Sequence, residues 1–379
     1  VPEIRGREWE YVKECLDTGW VSSVGSFVDR FEREFAAYLG ETHAVATASG
    51  TAALHVALIV AGVQPGEEVI VPALTFIAPA NAVRYLGAWP VFIDVEPHYW
   101  QIDPEKLADF FERECRWANG QLINRTTGRV VRALLPVHIL GHPVDFDPLL
   151  TLARKFGLAL VEDATESLGA RYKGRSVGRL GDVACFSFNG NKLLTTGAGG
   201  MIVTDDPSMA SRAKYLTTQA KDDPTEFVHN AIGFNYRLTN VQAAVGCAQL
   251  EKVEEFLAAK RHIATVYSAA LSEVSGLRPM CEASWARSAF WLYTVLVDES
   301  LFGLDSRALL RRLGEKGVQA RPLWQPLHRS PAHADCPTYR VEVADRIHGL
   351  ALSLPSSVGL TPSQQQVVIE SCRQLGRPT

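Results

Sequence analysis

Short apolar runs rich in β-branched residues alternate with amphipathic stretches between about residue 44 and residue 203. Runs that are apolar nearly throughout are typical of strands buried on both faces of a sheet. Stretches with helical periodicity, such as TAALHVALIVAG and DPLLTLARKFG, lie between several of them. The alternation predicts an α/β fold with a mostly parallel sheet, whose strands we place in HAVATAS, EEVIVPALTF, WPVFIDV, VRALLPVH, LALVEDA, DVACFSF and GMIVTD.

The pattern changes in the last third of the chain. A helical stretch runs from about Thr239 to Val274, and because it exceeds the length of an ordinary globular helix we expect it to bend or break. The segments FWLYTVLVD, LRRLGEKGVQARPLW and PSQQQVVIESCRQLG follow it and predict a smaller α+β unit. We therefore predict a large domain over residues 1–250 and a small C-terminal domain over residues 251–379.

The composition narrows the classes of function. The 379 residues are 47% apolar and 21% charged with a net charge of −4, which argues against disorder and against a nucleic-acid-binding surface. The seven cysteines are scattered without a CxxC pair, so we expect a reducing compartment and no metal site. No apolar run is long enough for a membrane span, and VPEIRGREWE contains no signal core. These features favour a cytoplasmic enzyme or binding protein.

One segment is a candidate anion site, although GxGxxG and GxxxxGK[ST] fingerprints are missing. In ASGTAALHVAL, three residues, Ser49, Gly50 and Thr51, lie between a predicted strand and a predicted helix. Free backbone amides and hydroxyls there can hold a phosphate at the positive end of the helix. The alternative is an ordinary helix N-cap, which uses the same donors. The segment alone leaves both interpretations open.

Two charged residues follow neighbouring predicted strands. Asp163 ends LALVED, and Lys192 follows DVACFSF; alone, such residues are usually a cap and a solvated surface charge. An anion cradle, a carboxylate and a lysine at one sheet edge are, however, the parts that pyridoxal phosphate requires, since the lysine holds the cofactor covalently and the carboxylate pairs with its ring nitrogen. Phe76, after another strand, is a candidate to stack on the ring, and a core aromatic is the alternative.

Five ordered motifs carry a resemblance to a known family: SGTAALHVAL, VPALTFIAPANA, VEDATESLGA, SFNGNKLLTTGAGG and GFNYRLTNVQAAVGCAQLE. Together they resemble the DegT/DnrJ/EryC1/StrS sugar aminotransferases, from GREWEYVKE to about residue 260 and more loosely to RPLWQPLH. The resemblance implies fold type I of the pyridoxal phosphate-dependent transferases, which is the aspartate aminotransferase-like fold. A large domain with a mostly parallel mixed sheet would then precede a smaller C-terminal α+β domain.

The resemblance also implies roles for individual residues. Lys192 matches the lysine that carries the cofactor, and Asp163 matches the acid on its ring nitrogen. Glu166 matches a position near the cofactor's phenolic oxygen and the substrate, where many relatives have histidine or glutamine. These three are the expected catalytic residues. The other expected cofactor contacts are Ser49, Gly50, Thr51, Ala52, Phe76 and Ser187.

Further residues are assigned to the partner subunit and the substrate. Asn235 in GFNYRLTN matches an asparagine that reaches the phosphate of the partner's cofactor, which implies a homodimer; an Asx-turn is the alternative. Arg237, Arg321 and His328 are candidates for contacts with anionic substrates. Ala198 stands where close relatives are expected to have glycine. If that position needs a positive φ, alanine costs about 1 kcal/mol.

The segments EDATES and SFNGNK resemble most closely a LegC-like branch of the family. This resemblance implies transfer of the amino group of L-glutamate to C4 of a nucleotide-linked 4-keto-6-deoxy sugar. UDP-4-keto-6-deoxy-N-acetylglucosamine is the favoured acceptor, in bacterial surface-glycan, bacillosamine or legionaminic-type synthesis. The alternatives are a GDP- or dTDP-linked keto sugar and a 3-keto sugar. A regulator that binds cofactor and sugar without turnover is the alternative from another class, and the presence of Lys192 and Asp163 argues against it.

Overall fold

The computed structural model describes residues 2–40, 42–223 and 225–377, so the predicted domain limits Val1 and Thr379 lie outside it. Helices in these ranges span Glu8–Thr18 (α1), Ser26–Leu39 (α2), Gly50–Val60 (α3), Ala78–Tyr85 (α4), Pro104–Arg113 (α5), Phe146–Lys155 (α6), Pro207–Thr217 (α7), Asn240–Leu250 (α8), Val253–Leu271 (α9), Glu299–Phe302 (α10), Ser306–Glu315 (α11), Glu342–Leu350 (α12) and Pro362–Leu375 (α13). Single 3-10 turns occur at Ile139–Gly141, Leu327–Arg329 and Pro331–His333.

The strands lie mostly between these helices. They span His43–Thr47 (β1), Glu68–Pro72 (β2), Trp89–Ile93 (β3), Cys115–Ala118 (β4), Gln121–Asn124 (β5), Val130–Leu134 (β6), Ala159–Asp163 (β7), Arg171–Tyr172 (β8), Arg175–Ser176 (β9), Val183–Ser187 (β10), Gly200–Thr204 (β11), Leu277–Pro279 (β12), Ala286–Arg287 (β13), Tyr293–Val297 (β14), Arg321–Pro322 (β15), Thr338–Tyr339 (β16) and Ala351–Leu354 (β17).

The central sheet has the order β1-β11-β10-β7-β6-β2-β3-β16, and the hairpin β4–β5 joins it at β6. The pairs from β10 to β16 along this order are parallel, whereas β11 runs antiparallel to β1 and to β10. Every residue of β2 is buried, and Val69 and Val71 pack into one core while Ile70 packs into the other. The predicted α/β fold with a mostly parallel sheet buried on both faces is confirmed.

The long helical stretch consists of two helices. A capping box of Thr239 and Gln242 starts α8, and α8 ends at Leu250. After a break at Glu251 and Lys252, α9 begins at Val253. The predicted interruption is confirmed, and α9 leads from it to the C-terminal elements.

Those elements form a second, antiparallel sheet with the order β12-β14-β17-β15. A third sheet, β13-β8-β9, joins Ala286–Arg287 to Arg171–Tyr172 of the preceding part of the chain. The domain boundary near residue 250 stays a prediction. Across the described ranges, no helix combines the length and apolar character needed to cross a lipid bilayer.

Candidate active site

A cavity of about 310 Å³ lies at the carboxyl ends of the central strands. Strands β7 and β10 are parallel neighbours with Asp163 opposite Cys185, so their carboxyl ends meet at one edge of the sheet. Ligands of open α/β sheets bind at such an edge. The cavity brings together eight of the residues expected to contact the cofactor: Ser49, Gly50, Thr51, Phe76, Asp163, Glu166, Ser187 and Lys192.

The N-terminus of α3 forms one end of the cavity. Ser49 caps the helix by accepting the amide of Ala52 at 3.1 Å, so the cap interpretation holds for this side chain and Ala52 does not line the cavity. Among the described residues, no acceptor is paired with the amides of Gly50 and Thr51. A Cβ on Gly50 would lie 2.8 Å from the Cβ of Ser187, which explains the glycine. The helix end therefore still offers donors to an anion.

Asp163 is the last residue of β7 and is almost fully buried. One of its carboxylate oxygens accepts the amide of Thr165 at 3.0 Å. Burial raises the pKa of this carboxyl, while the hydrogen bonds from Thr165 and the charge of Lys192 act in the opposite direction. A buried carboxylate at this place is suited to bind a protonated ring nitrogen.

Lys192 lies in the loop after β10, where its amide donates to the carbonyl of Asn189 at 2.9 Å. Its side chain is only 14% exposed, and its Nζ lies 3.8 Å from Oε1 of Glu166. Burial lowers the pKa of Lys192, and the nearby carboxylates of Glu166 and Asp163 partly offset this effect. The lysine is thus a desolvated amine, the state in which lysine acts as nucleophile and base.

Glu166 faces Lys192 from the loop after β7. Its second oxygen accepts the amide of Leu140 at 2.7 Å, and burial raises its pKa to about 7. Leu140 has a φ of 59°, a left-handed conformation that a residue with a branched side chain rarely adopts. Strained backbone of this kind concentrates at functional sites. Here it aims an amide at a buried carboxylate.

Two tryptophans that the sequence reasoning missed complete the wall. The ring of Trp291 covers the Nζ of Lys192 at 3.8 Å from the ring centroid, and its indole Nε1 donates to the carbonyl of Asn191 at 2.8 Å. Trp324 stacks on Trp291 at 6.0 Å with an angle of 14°. Phe76 is half exposed and meets the edge of Trp324 at 6.2 Å. A desolvated contact between an ammonium and an indole contributes about 2 kcal/mol.

The predicted substrate residues lie outside this cavity. Arg321 lines a second cavity of about 490 Å³, which shares Asn191, Lys192, Trp291 and Trp324 with the first. The Nε2 of His328 lies 3.0 Å from Asp345. Arg237 lines a separate pocket, and its Nε has no hydrogen-bond partner among the described residues.

Two further loop residues, Asn235 and Ala198, differ in their position relative to the cavity. Asn235 forms a backbone bridge with Thr218 and does not line the cavity of its own chain. Ala198 lines the cavity without a positive φ, so the expected cost of alanine there does not arise.

The lining fits pyridoxal phosphate. The helix end and Ser187 offer donors for a phosphate, Asp163 lies buried where a ring nitrogen can be paired, and Lys192 reaches the same cavity. Glu166 and the aromatic wall supply a second carboxylate and a surface for a flat ring. A cavity with this combination supports proton transfers on a bound amine.

Comparison with known proteins agrees with this geometry. The DegT/DnrJ/EryC1/StrS aminotransferase family matches residues 2–373. The GDP-perosamine synthase of Caulobacter vibrioides is 41% identical, with 99% of this chain and 96% of that protein covered. The GDP-perosamine synthase of Escherichia coli O157:H7 is 34% identical, with 98% and 96% covered.

A solved structure supports the same assignment. A crystal structure of a DegT DnrJ EryC1 StrS aminotransferase from Brucella abortus superposes with a TM-score of 0.89 at 28% identity, with 98% of this chain and 96% of that chain covered. Fold, cavity and relatives lead to one conclusion. The chain belongs to the DegT/DnrJ/EryC1/StrS aminotransferase family, and it is a pyridoxal phosphate-dependent nucleotide-sugar aminotransferase.

Proposed function

We propose that the chain transfers the amino group of L-glutamate to C4 of GDP-linked 4-keto-6-deoxymannose. The observation that carries the chemistry is the meeting of Lys192, Glu166 and Asp163 in one cavity beside an open helix N-terminus. The acceptor is supported by two relatives of nearly full coverage that are GDP-perosamine synthases. Perosamine is a 4-amino-4,6-dideoxy sugar with the mannose configuration, so its keto precursor has the carbonyl at C4.

The LegC-like assignment and its UDP-linked acceptor are replaced by this proposal. They depended on EDATES and SFNGNK, whose residues Asp163, Glu166 and Lys192 line the cofactor cavity. Such segments are constrained by the cofactor and carry little information on the nucleotide. The similarity to the GDP-perosamine synthase of Caulobacter vibrioides, 41% identity over 376 residues, is not limited to these segments, and it favours the GDP-linked alternative.

In this proposal Lys192 moves the proton. Burial lowers its pKa, so a larger share of the free amine is neutral and able to accept a proton from the α-carbon of glutamate. Asp163 would pair with the ring nitrogen of bound pyridoxal phosphate and favour its protonated form. When bound, pyridoxal phosphate supplies the electron sink that makes the α-proton acidic. After 2-oxoglutarate leaves, Lys192 delivers a proton to C4 of the sugar in the second half-reaction.

Glu166 assists Lys192 in both half-reactions. Because burial raises its pKa to about 7, Glu166 exchanges its proton near neutral pH. Its Oε1 lies 3.8 Å from Nζ of Lys192, close enough to stabilise the ammonium that forms when the lysine accepts a proton. The histidine or glutamine of other relatives would not place a negative charge there in the same pH range.

The proposed active unit is a homodimer in which Asn235 reaches the cofactor phosphate of the partner subunit. This proposal is supported by the position of Asn235 outside its own cavity. The same loop also exposes three apolar side chains, Phe227, Val228 and Ile232. Exposed apolar groups of this kind mark surfaces that other chains cover. A cytoplasmic location stays a prediction.

The test compares acceptors in one assay. The purified protein is supplied with pyridoxal phosphate and L-glutamate, then with GDP-4-keto-6-deoxymannose, UDP-4-keto-6-deoxy-N-acetylglucosamine or a dTDP-linked 4-keto or 3-keto sugar. Mass spectrometry and NMR identify the product. A GDP-linked 4-amino sugar formed with the highest kcat/KM supports the proposal, and preference for another sugar nucleotide contradicts the acceptor. Binding of cofactor and sugar without any amino transfer supports the non-catalytic regulator instead.

A further inference from the structure

Lys260 is a buried lysine whose acceptors, among the described residues, are all neutral. It lies on α9 and is 5% exposed. Its Nζ donates to the carbonyl oxygen of Trp291 at 2.6 Å, to the carbonyl oxygen of Ser356, and to the hydroxyl of Ser356 at 3.4 Å. A buried ammonium is costly without such bonds, and burial lowers its pKa to about 7. An apolar side chain would fill the same volume at lower cost, which suggests a role for the hydrogen bonds.

The acceptors of Lys260 lie at the open end of a strand pair. Strands β14 and β17 are antiparallel, and their last pair at this end is Tyr293 with Leu354. Trp291 precedes β14 and Ser356 follows β17, each two residues beyond that pair, so a continuation of the same register would place them opposite each other. The ammonium of Lys260 bonds both carbonyls there. It therefore joins two backbone segments where the sheet no longer does.

One of these segments supports the indole on the catalytic lysine. Trp291 places its ring 3.8 Å from the Nζ of Lys192, and its Nε1 donates to Asn191. A Cβ on Gly141 would lie 2.8 Å from the amide nitrogen of Trp291, so only glycine allows this close approach to the backbone of Trp291. Its carbonyl is fixed by Lys260 alone among the side chains that the structure describes.

We propose that Lys260 is a positioning residue for the amino transfer and acts through Trp291. By fixing the carbonyl of Trp291, it keeps the indole over Lys192 and maintains the wall between the two cavities. The indole excludes water from one side of the Nζ and stabilises its ammonium form after proton uptake. This inference rests on the proposed function, because it assigns the movement of the proton to Lys192.

The first test is a double-mutant cycle on the amino transfer. Lys260→Met and Trp291→Leu are each expected to lower kcat about 10- to 100-fold with a smaller change in KM, because the reacting amine is less well positioned. In the Trp291→Leu background, Lys260→Met should cause no further loss of kcat, since it acts through the removed ring. If the two losses multiply instead, Lys260 acts by another route and the inference is overturned. A parent-like kcat in either single variant would also overturn the inference.

The matched control is Lys106→Met. Lys106 is also largely buried, and its Nζ donates to Asp94 at 2.5 Å and to the carbonyl of Arg340 at 3.2 Å, but it lines neither cavity. Its loss should lower the free energy of unfolding while kcat remains near the parent value. A merely structural Lys260 would behave in the same way. If Lys260→Met does not fold, Lys260→Leu, which also lacks the N–H donors, takes its place in the cycle.

The second test uses cofactor-free protein and does not depend on activity. The stacked indoles of Trp291 and Trp324 contribute to the ultraviolet circular dichroism, and the difference spectrum between the parent and Trp324→Phe isolates that contribution. Lys260→Met should reduce this difference, whereas Lys106→Met should retain it. An unchanged difference in Lys260→Met overturns the inference. Failure of the parent to aminate any sugar contradicts only the proposed function, because the spectrum still reports on the tryptophan pair.

Discussion

The carboxylate of Glu166 lies 3.8 Å from the Nζ of Lys192, beyond hydrogen-bond distance but within reach of its charge. Burial acts on the two groups in opposite senses, since it raises the pKa of Glu166 to about 7 and lowers the pKa of Lys192. Both shifts favour the neutral forms, whereas the attraction between the groups favours the charged forms. Burial and the attraction between the two groups therefore act in opposite directions on the protonation of the pair.

Glu166→Gln should change how stability depends on pH. The pKa of Glu166 is raised from 4.5 to about 7 in the folded state. Between about pH 5 and pH 7 the folded state therefore keeps a proton that the unfolded state releases, and the protein loses stability as the pH rises through this range. Glutamine cannot ionise. Relative to Glu166→Gln, the parent should therefore lose about 2.5 kcal/mol of unfolding free energy between pH 5 and pH 8. Denaturant unfolding of cofactor-free protein at both pH values measures the difference, and parallel profiles would show that Glu166 titrates normally.

Lys192→Ala should abolish amino transfer. Because the variant lacks both the covalent anchor and the proton carrier, we expect kcat to fall by about 10⁴-fold or more. The matched control is Lys173→Ala, since Lys173 is an exposed lysine that pairs with Asp147. Product formation from L-glutamate and the keto sugar is measured for both variants. Near-parent rates in purified Lys192→Ala would contradict the assignment.

Much of this site follows from local sequence. Asp163 and Lys192 each follow a buried apolar run, and parallel neighbouring strands bring such positions to one edge. The segment of Gly50 precedes a helix, so its anion-binding potential is also local. Short-range patterns therefore predict the strands, the edge and the cofactor.

The rest depends on packing between distant segments. Trp291, whose ring lies over the Nζ of Lys192, is about 100 residues further along the chain, and Trp324, which stacks on Trp291, is further still. The carbonyl of Trp291 is bonded by Lys260, another distant residue. The left-handed Leu140 that donates to Glu166 has no marker in its own residue type. No local sequence pattern predicts these contacts, because each one forms only when segments that are distant in the sequence come together in the folded chain.

Gly50→Ala should weaken cofactor binding at the helix end. The added Cβ would meet the Cβ of Ser187 at 2.8 Å, so β10 or the start of α3 must shift and the amides lose their alignment. Such overpacking costs 1–3 kcal/mol, and we expect affinity for pyridoxal phosphate to fall about tenfold. The control is Gly314→Ala in α11, where a Cβ meets nothing within 4 Å. Titration of the visible absorption gives both affinities, and equal values would exclude a close approach at Gly50.

Mixing two inactive variants tests whether Asn235 acts on the partner's site. Asn235→Ala and Lys192→Ala should each have little activity alone. In a heterodimer formed by refolding or co-expression, the site with an intact Lys192 receives Asn235 from the other subunit and is complete. Random pairing makes half of the dimers hybrid with one complete site each, so about a quarter of parent activity should return.

The result distinguishes whether Asn235 acts on the site of its own chain or on the site of the partner subunit. If Asn235 served its own chain, every site in the hybrid would lack one of the two residues and no activity would return. In its own chain Asn235 forms a backbone bridge with Thr218 and does not line the cavity that holds Lys192. A parent-like rate for Asn235→Ala alone would show that the asparagine is dispensable. Activity that returns only in the mixed sample therefore requires a dimer with shared sites.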